Sequence, residues 1–523
     1  MSKLNYLSIG LLLLLIIKQL AWVGFMPLWQ FPDEQAHFAQ VQNLVEERTR
    51  SINPLATTSR EIYETEVLLG TERNDLGNNK YTYHPEFNIE YTDSTVGKFE
   101  STILNFPEQY RHDRVIREAT GYPPLYYQLS SLGYRLAYQQ DFLTRVFTTR
   151  LINIFLFIVF YLVVFSIGRE LFNKKNIALL FTLLIVFQPM LSFVMAGVNS
   201  DNLFNLLFAI SILLSLRLLN RGWHLSTLLL ALVNLFLIMK TKPHGILVAV
   251  IYLYPLFYLL VRRSGMRIKH LLIISLILLA GFGGVIFSIA QGAQFIPEIG
   301  RLKEFPQLST SEFITHLKNT VRLSYRLILP WYWGVFRWLS MTYPRLIHRM
   351  INGVILFAVV GIIVAIYRNV KNPAKNILKP ELFLFLFYVS GVYFLALTVF
   401  DYLFIKSYGF SFGFQGRYFF PVISAHMGLL LMGIKTLFST FKIPGRFMKW
   451  LGIAMIGLHI YAHYLVSVSY YAAPTLRQAF RFASQYKPAL FKSPYLEVAS
   501  VFLLLLYGLF IYKYLQVFNE KEN

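Results

Sequence analysis

Long apolar runs alternate with short polar connections over most of this 523-residue chain. A membrane-spanning helix needs about 20 mainly apolar residues, and roughly twelve runs approach that length. They centre near residues 7–24, 150–167, 177–196, 203–219, 225–239, 246–261, 271–291, 350–366, 382–400, 418–434, 450–471 and 497–514. The pattern predicts an all-α polytopic membrane protein with a bundle of about 12 transmembrane helices.

Composition agrees with this prediction and narrows the chemistry. Hydrophobic residues make up 55% of the chain and charged residues only 15%, against about 25% charged in soluble domains. Cys is absent, so no disulfide, thiolate nucleophile or Cys-ligated metal needs to be considered. The first apolar run continues into Trp29 and Pro32-Asp33-Glu34 without a small-residue cleavage site, which predicts a retained helix instead of a signal peptide.

The distribution of Lys and Arg predicts how the helices are oriented. Cytoplasmic loops are enriched in these residues. Every second connection is rich in them: Arg169, Lys174 and Lys175; Arg217 and Arg221; Arg262, Arg263, Arg267 and Lys269; Arg368, Lys371, Lys375 and Lys379; Lys435, Lys442, Arg446 and Lys449. With Lys3 and Lys521 on the same side, both termini are predicted to be cytoplasmic, in a multi-pass protein of the inner (cytoplasmic) membrane.

One connection, from Phe31 to Arg145, is far longer than the others and is predicted to lie outside the cytoplasm. It holds 17 acidic residues against 11 Lys and Arg, a net charge of −6 that leaves +28 for the rest of the chain. The total of +22 therefore reflects cytoplasmic anchoring, and no nucleic-acid partner is expected. Residues Gln35 to Glu47 and Asp113 to Glu118 are predicted to form short amphipathic helices. A loop of this length is more often functional than a spacer.

Polar motifs gather at the predicted outer ends of the helices. Asp33, Glu34 and His37 follow the first apolar run, and two adjacent carboxylates at the edge of a membrane favour a water-filled site. The other motifs are Gly121 to Tyr127, Asn199-Ser200-Asp201, Lys240 to His244, and Gln415-Gly416-Arg417-Tyr418. Carboxylates opposite Lys and Arg suit a substrate that carries a phosphate beside a reacting centre in need of a base.

Each motif also has a purely structural interpretation. Asp33 and Glu34 could cap the helix that begins at Gln35, because acids are favourable at a helix N-terminus. Pro123-Pro124 could only fix where the second helix begins. The segment from Trp331 to Trp338 fits either an interfacial aromatic belt or a platform on which a sugar stacks.

Several functions therefore compete. A transferase would use the carboxylates and cations directly. A transporter or flippase of lipid-linked glycans would carry ionisable groups at mid-depth of several helices, and a structural subunit would need neither. A metal-dependent transferase stays open, because Asp33, Glu34, His37 and Asp201 offer oxygen and nitrogen ligands for a divalent metal ion.

Taken together, the motifs resemble a family of bacterial predicted membrane proteins grouped with the GT-C glycosyltransferases. The resemblance rests on Pro32-Asp33-Glu34 with His37, Pro123 to Tyr127, Asn199 to Asp201, the Trp333-Gly334 and Trp338 region, and Gln415 to Tyr418. It implies a GT-C-like fold, a polyprenyl-phosphate sugar donor, a glycan, lipid or protein acceptor, and an active site outside the cytoplasm. Relatives often have Lys or His before the Pro-Pro-Leu element, where this chain has Tyr122, so the donor phosphate is expected at Lys240, Lys242 and Arg417.

The predicted organisation has five parts. These are a first transmembrane helix (1–30), an extracytoplasmic loop with juxtamembrane helices (31–147), helices 2–7 (148–291, with 1–147 the GT-C-like catalytic module), an extracytoplasmic Trp-rich loop (292–349), and helices 8–12 (350–523). Within them, the predicted catalytic residues are Asp33 and Glu34. The predicted substrate-binding residues are His37, Tyr122, Tyr126, Asp201, Lys240, Lys242, His244, Arg417 and Tyr418.

Overall fold

A computed structural model describes residues 3–47, 58–74, 77–87, 89, 91–116, 122–263, 309–371 and 379–519. The helices, in chain order, are α1 Lys3–Phe25, α2 Glu34–Glu46, α3 Arg60–Leu69, α4 Glu100–Leu104, α5 Leu125–Leu136, α6 Phe142–Leu171, α7 Lys175–Val186, α8 Pro189–Val194, α9 Asp201–Arg221, α10 Leu225–Met239, α11 Leu247–Arg263, α12 Thr310–Leu323, α13 Leu329–Trp333, α14 Arg345–Lys371, α15 Pro380–Tyr408, α16 Ile423–Thr440, α17 Lys449–Tyr471, α18 Leu476–Ala483 and α19 Tyr495–Asn519. Antiparallel pairs join β1 Thr58–Ser59 to β2 Arg114–Val115 and β3 Val335–Phe336 to β4 Met341–Thr342.

The apolar runs form the predicted helices. In the part of the chain that the structure describes, eight helices are long and apolar enough to cross a membrane, and three shorter apolar helices accompany them. Together these correspond to the predicted runs that fall on described residues, and the run near 271–291 lies outside them. Helices are expected here because hydrocarbon offers no partner for backbone N–H and C=O groups. The prediction of an all-α polytopic membrane protein is confirmed.

The predicted span at 177–196 is wrong in one respect, because it consists of two helices. Pro189 has no backbone N–H, and the chain breaks between α7 and α8, where the Gln188 side chain caps α8 by accepting from the Leu191 N–H. Lys18, buried in α1, donates from Nζ to the Val186 carbonyl at 2.7 Å and to the Ser192 hydroxyl at 2.8 Å. The Ser192 hydroxyl also donates to the Val186 carbonyl, at 3.1 Å, so Lys18 and Ser192 together satisfy this carbonyl at the break.

The long first loop folds over one end of the bundle. The predicted amphipathic helix from Gln35 to Glu47 is confirmed as α2. The one predicted from Asp113 to Glu118 is wrong, because Arg114 and Val115 are extended and pair with β1, with Thr58 opposite Val115. Pairing with a neighbouring strand outweighed the local amphipathic pattern.

Two buried cations fix the end of α1, and with it the start of the loop. Lys487 donates from Nζ to the carbonyls of Gly24 and Phe25, the latter at 3.3 Å. Arg150 of α6 donates to the Met26 carbonyl at 3.1 Å and to the Pro27 carbonyl at 3.1 Å. Cations at a helix C-terminus complement its dipole and its unpaired carbonyls. The segment that leads to the candidate site is therefore held rigidly.

Candidate active site

Asp33 is the residue directly before α2. Its backbone is left-handed, with φ 56° and ψ 19°, a conformation that Asp tolerates better than most residues. Its side chain makes no capping hydrogen bond to α2, so the capping interpretation is wrong for Asp33. Half of the side chain is exposed, and Oδ2 accepts a hydrogen bond from Arg417 Nη2 at 2.7 Å.

Arg417 reaches this carboxylate from the 3-10 turn Gly416–Val422 that precedes α16. Gly416 packs directly on the backbone of α13, where an added Cβ would lie 2.1 Å from the Tyr332 nitrogen, so only glycine fits. The Arg417 side chain is 4% exposed. Its Nε and Nη1 atoms are buried and have no hydrogen-bond partner among the described residues. A buried guanidinium with unused donors is ready to bind an anion.

A second acid–cation pair joins two further motifs. Asp201, the first residue of α9, accepts a hydrogen bond on Oδ1 from Lys242 Nζ at 2.6 Å. Lys242 is buried, and its ammonium lies 4.2 Å from the centre of the Tyr122 ring. The Tyr122 ring thus supplies a cation–π contact to the lysine. The pair brings the Asn199-Ser200-Asp201 and Lys240 to His244 motifs together.

His37 completes this group from the first turns of α2. Its Nδ1 lies 2.9 Å from the Tyr127 hydroxyl, and its ring stacks on Tyr122 at 6.2 Å between centroids. Burial, reinforced by the positive charge of Lys242, lowers the pKa of His37 to about 3. The imidazole is therefore neutral at physiological pH.

The charge state of Asp33 follows from two opposing effects. Desolvation by the surrounding protein acts to raise its pKa, but the charge and the hydrogen bond of Arg417, with a smaller contribution from His37, together hold the pKa below its usual value. Asp33 is consequently ionised at neutral pH. Asp33 pairs with Arg417 and Asp201 pairs with Lys242, so the group contains two formally neutral ion pairs. The pairs are close enough for Asp201 to influence the pKa of Asp33.

Tyr126 holds the loop before α9 against Asp33. Its hydroxyl accepts from the Asn199 N–H at 2.8 Å and donates to Asn153 Oδ1 at 3.0 Å. Asn199 in turn donates from Nδ2 to the Pro32 carbonyl at 3.0 Å. Tyr126 is fully buried, so its contacts are with the protein. Sequence reasoning missed Asn153, although a lone Asn in an apolar run is a signal of a buried polar network.

Glu34 points the other way from its neighbour. It is completely buried, with Oε1 accepting from Arg150 Nε at 2.8 Å and Oε2 from Arg150 Nη2 at 2.6 Å. The Val198 N–H donates to Oε1 at 3.3 Å. This bidentate pair ties α2 to α6 and to the loop before α9. Arg150 was also missed as a site-forming residue, although it stands at the end of an apolar run.

The remaining predicted residues lie at the edge of this group. Lys240 is exposed beside the Phe236 ring, and its carbonyl accepts from the Leu125 N–H at 3.2 Å. His244 packs its ring on Phe204 at 4.6 Å. Tyr418 lies under the guanidinium of its neighbour Arg417, at 5.2 Å from the ring centre.

The four residues proposed for a divalent metal ion do not form a ligand set. Asp33 is paired with Arg417, Asp201 with Lys242 and Glu34 with Arg150, while His37 contacts the Tyr127 hydroxyl. Over the described ranges, no group of three or more His, Asp or Glu side chains is arranged to hold a metal ion. The three carboxylates are paired with cations of the protein itself.

Comparison with known proteins identifies the family. Residues 15–425 match the model of a family described as a predicted membrane protein (DUF2142), and the protein belongs to this family. This confirms the family resemblance carried by the motifs, which all lie within the matched residues. No curated protein matches the chain in sequence.

Some solved structures are similar in fold. One is the crystal structure of ArnT from Cupriavidus metallidurans in the apo state, with 13% identity and a TM-score of 0.44 over 98% of this chain and 77% of that one. Another is the archaeal oligosaccharyltransferase AglB from Archaeoglobus fulgidus, in complex with an inhibitory peptide and a dolichol-phosphate. It has 13% identity and a TM-score of 0.42 over 88% of this chain and 56% of that one.

Proposed function

We propose that this DUF2142 protein is a membrane glycosyltransferase of GT-C type that moves a sugar from a polyprenyl-phosphate donor to a glycan, lipid or protein acceptor. One observation carries the proposal: a half-exposed, ionised Asp33 is paired with the buried Arg417, beside the Asp201–Lys242 pair. An acid next to desolvated cations at the end of a helix bundle suits a lipid phosphate and a hydroxyl acceptor. The Lys and Arg pattern supports a reaction on the extracytoplasmic side of the inner membrane.

The cations account for the donor. Arg417 has two buried nitrogens without partners among the described residues, and Lys242 lies in the same group. The donor's phosphodiester carries one negative charge, and the polyprenyl phosphate that leaves carries up to two, since its second pKa is near 6. The cations therefore stabilise the leaving group more than the bound donor, which is what lowers a barrier.

Asp33 accounts for the acceptor. Its carboxylate accepts the hydrogen bond of an acceptor hydroxyl and takes the proton as the new glycosidic bond forms at the anomeric carbon. The bond from that carbon to the phosphate oxygen breaks in the same step, and the leaving polyprenyl phosphate keeps the electron pair. A donor phosphate that binds Arg417 weakens the ion pair between Arg417 and Asp33. The pKa of Asp33, and with it its basicity, therefore rises when the donor is bound.

The other residues act by positioning. Glu34 is fully buried with both carboxylate oxygens engaged, so we assign it to holding α2 in place instead of to chemistry. Asp201 orients Lys242, and His37 with Tyr122 packs beside that lysine. In this proposal Lys240 and His244 contribute at the edge of the donor site.

A transporter or flippase of lipid-linked glycans is a second candidate. It is favoured by Lys18, which is buried inside α1 beside the break between α7 and α8, since broken helices and intramembrane charges are features of transporters. The two candidates differ in product, because a flippase leaves the sugar–phosphate bond intact.

Reconstitution tests the proposal. Purified protein in liposomes is given polyprenyl-phosphate hexoses and pentoses with a radiolabelled sugar, together with envelope glycans, lipids and proteins as acceptors, and release of polyprenyl phosphate and transfer of the label are followed by chromatography. We expect cleavage of at least one donor. Movement of intact donor across the bilayer without any cleavage would favour the flippase instead.

A further inference from the structure

A cleft in the first loop lies outside the group described above. Its volume is about 360 Å³, within the range of small-ligand sites. Among its lining residues are Asn79, Lys80, Thr82, Tyr83 and Phe87. None of the described residues that line it is acidic. Its lining combines amides, hydroxyls and aromatic rings with the Lys80 ammonium and the His84 imidazole.

Two large aromatic rings at this cleft are exposed to solvent. Tyr83 is 51% exposed and Phe87 49% exposed. Tyr83 is held in place by a left-handed backbone, φ 65°, by its N–H donating to the Trp338 carbonyl at 3.0 Å, and by stacking on Trp331 at 6.1 Å. An exposed ring held in place like that of Tyr83 offers a flat apolar face at little entropic cost, while its hydroxyl keeps a polar contact.

Three buried donors around these rings lack an acceptor. Asn79 Oδ1 is used by the Tyr81 N–H at 3.0 Å, but its Nδ2 has no partner within the described chain. Gln30 Oε1 accepts from the Tyr470 hydroxyl at 2.8 Å, and its Nε2 is likewise unpaired there, as is Trp338 Nε1. Leaving such donors unsatisfied is costly, so a ligand that supplies acceptor oxygens is favoured.

The cleft lies next to the turn that carries Arg417. Tyr83 stacks on Trp331, and a Cβ added to Gly416, the residue before Arg417, would lie 2.4 Å from the Trp331 carbonyl carbon. The charge of Arg417 also opposes the rise in the pKa of Tyr83 that burial causes. Gln30 and Trp338 line a separate cavity of about 10 Å³, which shares Phe87 with the cleft and has room for a single water. Tyr83 therefore links the cleft to the candidate active site.

We infer that this cleft binds a carbohydrate and that, if the proposed transfer is correct, it holds the glycan acceptor. Sugar rings present apolar C–H faces to exposed aromatic rings such as Tyr83 and Phe87, and many hydroxyl and ring oxygens to donors such as the Asn79 amide and the Lys80 ammonium.

Binding is measured on the full-length protein in lipid nanodiscs. The probe is an array that carries defined bacterial envelope oligosaccharides beside peptides at equal density. Tyr83→Ala removes a ring, whereas Tyr83→Phe keeps it. Asn79→Asp preserves the oxygen used by Tyr81 and removes the unpaired donor. Trp223→Ala, an exposed aromatic residue on the predicted cytoplasmic side, is the matched control.

The wild-type protein, Tyr83→Phe and Trp223→Ala should bind the same glycans, and Tyr83→Ala and Asn79→Asp should bind them about tenfold more weakly. Binding of peptides alone, absence of glycan binding, or wild-type affinity in both weakened variants would overturn the inference. Donor cleavage by water, measured on the same preparations, should be unchanged by Trp223→Ala. If the wild-type protein binds glycans but does not cleave the donor, the proposed transferase function is refuted, while the inference that the cleft binds a carbohydrate still holds.

Discussion

Replacing Glu34 by Gln should destabilise the protein strongly, because Glu34 neutralises Arg150 where neither side chain is exposed. The substitution removes the charge opposite a guanidinium that is bound through both Nε and Nη2. Removing one partner of a buried ion pair costs about 3–5 kcal/mol, mostly from the charge left uncompensated. The carbonyls of Met26 and Pro27 keep part of the cation satisfied, so the lower end of this range is expected.

A double-mutant cycle separates this effect from ordinary loss of a contact. Combining Glu34→Gln with Arg150→Met should cost at least about 2 kcal/mol less than the sum of the single changes, since the double variant holds no unpaired charge. The matched control is Asp93→Asn, which breaks an ion pair with Arg481 whose side chains are both 58% exposed. That control should cost no more than about 1 kcal/mol.

The assay is reversible unfolding of purified protein in mixed micelles, followed by circular dichroism. Donor cleavage is recorded on the same samples. A Glu34→Gln protein as stable as the wild type but inactive would refute the positioning role, and would return Glu34 to the catalytic role that its place in the sequence first indicated.

Three further predictions concern the donor, the topology and the protonation state. Arg417→Gln or Lys242→Ala should lower kcat/KM for the donor about ten- to a hundredfold, since a charge-assisted contact to the phosphate is lost; unchanged donor kinetics in both would contradict this. A Cys introduced at Ser94 should react with an impermeant maleimide from outside the inner membrane, and labelling only after permeabilisation would reverse the topology. Transfer should show no inflection from His37 between about pH 5 and 8, because its pKa is lowered to about 3; an inflection that disappears in His37→Asn would contradict it.

The helices could be predicted from the sequence because each apolar run carries its own signal. Length and hydropathy decide whether a segment can cross hydrocarbon, and no distant partner is needed for that decision. The break between α7 and α8, at Pro189, was harder to predict, because proline also occurs within continuous membrane helices. Its partner Lys18 lies in another helix and satisfies the Val186 carbonyl there.

The site was harder to predict, because adjacent residues take opposite roles. Asp33 and Glu34 look equivalent in the sequence, but the left-handed backbone of Asp33 directs one carboxylate to Arg417 and the other to Arg150. Those partners are distant in the chain, and only the packed helices bring them together. The pairing of Asp201 with Lys242 follows from the same packing. The motifs therefore indicated which segments lie close together, but not which side chains form ion pairs with each other.

The central claim is tested most directly by donor turnover in Asp33→Asn. Asn tolerates the left-handed backbone and keeps the size of the side chain, so only charge and basicity are removed. With the half-exposed Asp33 replaced, the protein should remain folded in the unfolding assay, and turnover should fall about 10²- to 10⁴-fold, as expected when a general base is lost. A stable Asp33→Asn protein that retains more than about a tenth of wild-type turnover would contradict the assignment of Asp33 as the catalytic carboxylate.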